Sequence, residues 1–106
     1  MTQASPRRND LSALQASASE AASMLRAIGN ERRLMVLCLL IERGELTAGA
    51  LSEAIGLSAS ATSQHLAKMR DEGLVAFRRE AQTVHYRIGD PKVKRLIAVL
   101  KTIYCP

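Results

Sequence analysis

The sequence predicts a mainly α-helical domain with one small β-hairpin, in the order α-α-α-α-β-β-α. Apolar residues recur at steps of three and four through most of the chain, the pattern of helices that each bury one face. Only two short stretches, residues 75–79 and 83–88, read as strands, joined by a polar tip at Glu80, Ala81 and Gln82. Aromatic residues are 3% of the chain and hydrophobic residues 47%, so the core must be built from Leu, Ile, Val, Met and Ala, which suits helices better than a β-sandwich.

Residues 1–10, with Pro6, Arg7, Arg8 and Asn9, read as a disordered basic tail, and residues 11–106 as one domain. The first helix opens at Leu11 and carries Leu11, Leu14, Ala18, Ala21, Leu25 and Ile28, a heptad-like stripe whose small residues let a partner helix approach closely. Gly29 ends it, and Asn30 caps a second helix, residues 31–43, that is apolar all round in its middle and so belongs at the domain centre. After Gly44, Thr47 caps a short third helix reaching Ile55. Gly56, Leu57 and Ser58 make a tight turn, and Ser58 caps a fourth helix running to about Glu72, which Gly73 terminates. Beyond the hairpin, Asp90-Pro91 opens the last helix, with Val93, Ile97, Leu100 and Tyr104 on one stripe.

The segment 47–72 carries the functional signal. A short helix, a three-residue turn with Gly, and a longer helix present the second helix to the DNA major groove. Leu51, Ile55, Leu57, Ala61, Leu66 and Met69 fall where the two helices pack, leaving Ser60, Thr62, Ser63, Gln64 and Lys68 outward with His65 beside them. Gln pairs with adenine, Ser and Thr reach bases or phosphates, Lys neutralises phosphate, and the helix start at Ser58 offers free backbone N–H groups. The hairpin adds Arg78 and Arg79 before its tip and His85 and Arg87 after it, a basic wing that would straddle the backbone. Residues 11–106 are thus expected to form a winged helix-turn-helix domain for DNA binding and dimerisation.

Bulk properties agree. The formal charge is +5, from 15 Lys and Arg against 10 Asp and Glu, which suits a polyanionic partner. The longest apolar run, residues 34–41, is far short of a membrane span, and residues 1–10 lack the apolar segment of a signal peptide, so the expected location is cytoplasmic. Two cysteines, Cys38 and Cys105, are too few for a secreted disulfide scaffold and wrongly spaced for a zinc knuckle. No paired acids, Ser/His/Asp set or Gly-rich phosphate loop marks an enzyme.

The strings NERRLMVLCLL, GELTAGALSEAIGLSASATSQHLAKMRDEGLV and RREAQTVHYRI resemble the arsenic-repressor (ArsR/SmtB) family of bacterial winged-helix repressors, over residues 22–105. The resemblance implies a homodimer joined through the first and last helices, bound to a partly palindromic double-stranded operator and released by an inducer. It also allows the family's metal sites to be checked. Thr47 and Gly49 stand where metal-sensing relatives carry a Cys-x-Cys pair. On the last helix Asp90 is present, but Lys92, Ile103 and Pro106 replace the other zinc ligands. No metal or other cofactor is therefore expected.

On the residues alone, Cys38 reads as a small core hydrophobe and Cys105 as an ordinary terminal residue. Both match the sulfide-responsive subgroup of the family, whose two thiols react with persulfides and become joined by a disulfide or a short polysulfide. The resemblance therefore implies a repressor of sulfur-detoxification genes with Cys38 and Cys105 as sensor and reactive sulfur species as inducer. Attack by the accessible Cys105 with Cys38 resolving the product is one order, and the reverse is open. A direct disulfide needs Cα atoms within roughly 7 Å, and a longer gap needs bridging sulfur. Two alternatives stand beside this: a metal- or haem-responsive repressor using the thiols with His65 or His85, and a protein-interaction module that has lost DNA binding.

Overall fold

The computed structural model describes residues 8–105. The chain runs α1 (Arg8–Ile28), α2 (Glu31–Arg43), β1 (Leu46–Thr47), α3 (Ala48–Ile55), α4 (Ala59–Asp71), β2 (Val75–Glu80), β3 (Thr83–Ile88) and α5 (Pro91–Tyr104). The caps are those the sequence announces. Asn30 accepts from the Arg33 N–H, Thr47 from Ala50, Ser58 from Ala61 and Asp90 from Lys92, each satisfying a donor that the first helical turn leaves free.

Four expectations are corrected. The first helix begins at Arg8, so residues 8–10 are helical rather than tail, and Asp10 lies in its first turn, where a carboxylate favours the helix dipole; residues 1–7 lie outside the described residues. A third strand is present, giving the order α-α-β-α-α-β-β-α. Two-residue β1 pairs antiparallel with β3, Leu46 opposite Tyr86 and Thr47 opposite His85, so the sheet order is β1-β3-β2. The middle of α2 is not buried all round: Val36, Leu37 and Leu40 are, but Met35 is exposed and Cys38 and Leu39 are half-buried, because neighbours cover one side only. The α5 stripe also divides. Val93 and Ile97 are fully buried in the protomer's own core, Leu100 is half-buried, and Tyr104 is exposed together with Val99 and Ile103.

The core gathers Leu37 and Leu40 of α2, Leu51 of α3, Leu66 and Met69 of α4, Val75 of β2, and Val93 and Ile97 of α5. Each such side chain contributes about 1.5–3 kcal/mol on burial, and together they lock α4 and the hairpin onto α2. Helix α1 is different. Residues 10–21 are exposed, and only its last turn joins the core, through Ile28 with Met24 and Ala27 against it. A 21-residue helix is roughly 30 Å long, so α1 stretches the molecule to 58 × 30 × 21 Å. The radius of gyration is 17.1 Å, against about 13 Å for a compact chain of 100 residues.

Candidate nucleic-acid interface

The turn into α4 is built by three residues. Gly56 takes a left-handed backbone, φ 78°, that ends α3, a conformation costly for any residue with a Cβ. The Ser52 hydroxyl donates to the Leu57 carbonyl at 2.6 Å, and Ser58 closes the first turn of α4 with Oγ 3.1 Å from the Ala61 nitrogen. Helix α4 then has two faces. Leu66 and Met69 point into the core, while Ser60, Ser63, Gln64 and Lys68 are exposed along one stripe at helical spacing, with half-buried His65 on the flank.

Thr62 does not belong to that stripe. It precedes Leu66 by four residues and Met69 by seven, shares their inward face, and is 1% exposed. Its expected role as a base or phosphate contact is therefore corrected. Its hydroxyl has no hydrogen-bond partner among the described residues.

In the hairpin, β2 pairs with β3 from Val75–Ile88 to Glu80–Thr83, leaving a two-residue tip. Successive strand residues face opposite ways, so Arg78 and Arg79 lie on opposite sides of the wing. Arg79 and Arg87 are exposed. Arg78 is tethered: its Nε donates to both carboxylate oxygens of Glu45 at 2.9 and 3.0 Å, and Nη1 donates to Glu80 at 2.9 Å. The bond from Arg78 holds the Glu80 carboxyl below its usual range, and His85 Nε2 lies 3.8 Å from the same carboxylate. The wing is braced to α4 by Arg70, whose guanidinium sits 5.2 Å from the Phe77 ring centre, and Phe77 in turn meets Tyr86 at 6.1 Å.

Among the described residues three further ion pairs tie helices together, one of them Lys92 Nζ of α5 to Glu20 of α1 at 2.8 Å. Arg33, at the start of α2, donates from Nη1 to Glu72, which caps α4, and to the Ala27 carbonyl in the last turn of α1, each at 2.7 Å. Lys101 of α5 meets Glu42 of α2 at 2.5 Å. Sequence reasoning missed Glu45, Arg33, Glu72 and Arg70, whose partners are distant in sequence or carry no local motif. Lys101 and Glu42 left one trace, each lying four residues from a cysteine on its own helix.

The cysteines are free thiols, Cys38 half-buried on α2 and Cys105 exposed at the end of α5. The Cys105 N–H donates to the Lys101 carbonyl, the closing bond of α5. Burial pushes the Cys38 thiol upward; the Lys101 cation opposes this, and Cys105 and Glu42 add to the rise, so all three act on Cys38. His65 lies on α4 and His85 on β3, whereas Cys38 lies on α2 and Cys105 caps α5. Among the described residues no helix is long and apolar enough to cross a membrane.

A helix-turn-helix with a polar outward stripe, flanked by a basic hairpin, defines a winged-helix DNA-binding protein. Residues 30–76 match the model of the bacterial regulatory proteins of the arsR family. The chain is 50% identical to the HTH-type transcriptional regulator YgaV of Escherichia coli K12, over 92% of this chain and 98% of that one. Among solved structures it is similar to reduced HlyU from Vibrio cholerae N16961 (TM-score 0.82, 45% identity, 88% of this chain and 97% of that one). It is also similar to the transcriptional repressor BigR from Xylella fastidiosa (TM-score 0.81, 34% identity, 89% and 92%). This chain belongs to the arsR family of DNA-binding transcriptional regulators. The matched proteins are regulators rather than enzymes, and membership sets aside an interaction module without DNA binding.

Proposed function

We propose that the protein is a homodimeric repressor of sulfur-detoxification genes that holds a partly palindromic operator and leaves it when persulfides cross-link Cys38 to Cys105. The carrying observation is that α2, which bears Cys38, packs against α5, whose end is capped by Cys105. The Xylella relative is a named repressor, and a solved Vibrio relative is distinguished by its reduced state, which favours a redox switch here. A reducing cytoplasm would keep both thiols free at rest.

In this reading Ser60, Ser63, Gln64 and Lys68 face base edges, with His65 at their margin. Ser58 offers the helix start to a phosphate, and Arg78, Arg79 and Arg87 line the backbone. The exposed Leu11, Leu14 and Leu25 of α1 and Val99, Ile103 and Tyr104 of α5 form the contact with a second copy. Sensing begins at exposed Cys105. Its thiolate attacks the outer sulfur of a persulfide RSSH, forming Cys105–SSH and releasing RSH. Cys38 then attacks the Cys105 sulfur and expels hydrosulfide, so two thiols and RSSH become a disulfide, RSH and hydrogen sulfide. A second persulfide would instead leave one extra sulfur in the bridge. Linking α2 to α5 turns the dimer contact and spoils the spacing of the two α4 helices, about 34 Å for successive major grooves.

Mass spectrometry of persulfide-treated protein is expected to find Cys38 and Cys105 joined, directly or through added sulfur. Cys38→Ser is expected to bind operator DNA normally in gel shifts and to ignore persulfide. Normal release of the Cys38→Ser protein by persulfide would overturn the mechanism.

A further inference from the structure

We propose that Lys101 is the activating cation of the Cys38 thiol and that Glu42 holds Lys101 in check; the inference takes its functional meaning from the dithiol reading. Cys38 and Glu42 are four residues apart on α2 and so lie along one face of it, while Lys101 sits in the last turn of α5 and its carbonyl accepts from the N–H of Cys105, the residue that caps that helix. The Lys101–Glu42 contact joins the two helices one turn beyond Cys38 on α2 and one turn before Cys105. The Lys101 side chain is 20% exposed and that of Glu42 53%, so the cation sits in the seam while its partner opens to solvent.

Three groups of the described residues act on the charge of Cys38. Lys101 of α5 favours the thiolate, while Glu42 of its own helix and Cys105 of α5 oppose it. The bond from Lys101 holds the Glu42 carboxyl below its usual range, so Glu42 remains charged at neutral pH. The thiolate is the nucleophile, so its population sets how fast Cys38 resolves a persulfide on Cys105. An ammonium shared with a carboxylate stabilises the thiolate only partly. Losing the carboxylate would release the full charge, and losing the ammonium would remove the activation altogether.

The test reads Cys38 alone, in full-length Cys105→Ser protein, by the rate at which its thiolate displaces iodide from iodoacetamide between pH 6.5 and 9.5. Glu42→Gln is expected to raise the rate at pH 7.5 and Lys101→Met to lower it, each by about fivefold, the effect of a unit charge a few ångströms away in a wet setting. Lys101→Arg, which keeps the charge, is expected to stay near the parent. A purely structural contact gives a different pattern: both substitutions break the same ion pair, loosen α5 and expose Cys38, so both speed alkylation. Changes in the same direction, or none, overturn the proposal. Persulfide treatment of the chain with both thiols checks the dithiol reading separately. Opposite shifts without a linked product would uphold Lys101 and sink the sensor.

Discussion

Thr62 sits in the first half of α4, the second helix of the helix-turn-helix, yet its hydroxyl is sealed inside. Its own backbone N–H already bonds the Ser58 carbonyl at 3.0 Å, and its Oγ1 has no partner among the described residues. A buried hydroxyl without a hydrogen bond costs about 1–3 kcal/mol, whereas an apolar group of the same shape fills the space without that loss. Thr62→Val is therefore expected to stabilise the fold by roughly 1 kcal/mol, read as a higher midpoint in urea unfolding at unchanged slope. Operator affinity should stay as it is, because the side chain does not reach the surface. A lower midpoint would mean that the hydroxyl is satisfied after all.

Helix α1 is attached to the body at few points, and Arg33 is one of them. Its guanidinium bonds the end of α1 at Ala27 and the end of α4 at Glu72, so one side chain ties these two helices together. Glu72 is 38% exposed, which screens the pair. A double-mutant cycle with Arg33→Met and Glu72→Gln is expected to give a coupling of about 1 kcal/mol, and Arg33→Met alone to weaken operator binding. A coupling near zero would reduce the contact to decoration. None of this was legible in the sequence, where Arg33 and Glu72 are 39 residues apart and no local pattern pairs them. What could be read was local: Asn30, Thr47, Ser58 and Asp90 announced their helices because each cap acts within three residues. Strand β1 escaped because two residues carry no period, and its partner β3 lies almost 40 positions on. Thr62 was misplaced for a related reason. A threonine among serines looks polar, and only the phase set by Leu66 and Met69 turns it inward.

The outline of the molecule, stretched by α1, leaves apolar side chains on two helices that nothing among the described residues covers. Leu14 is 64% exposed and Ile103 62%. Leu14→Glu combined with Ile103→Glu is expected to give a folded monomer in analytical ultracentrifugation. Operator affinity should fall by at least roughly a hundredfold, because two linked half-site contacts become one. A dimer that survives both charges would place the contact elsewhere. The same overall view changes how the basic surplus is to be counted. Arg78 faces outward on the wing already clasped by Glu45 and Glu80. A phosphate approaching it must displace carboxylates rather than mobile sodium or potassium, so that arginine releases few ions to bulk solution on binding. The hairpin thus brings its own counterions, and binding of DNA through it is expected to be less sensitive to ionic strength than its tally of arginines implies.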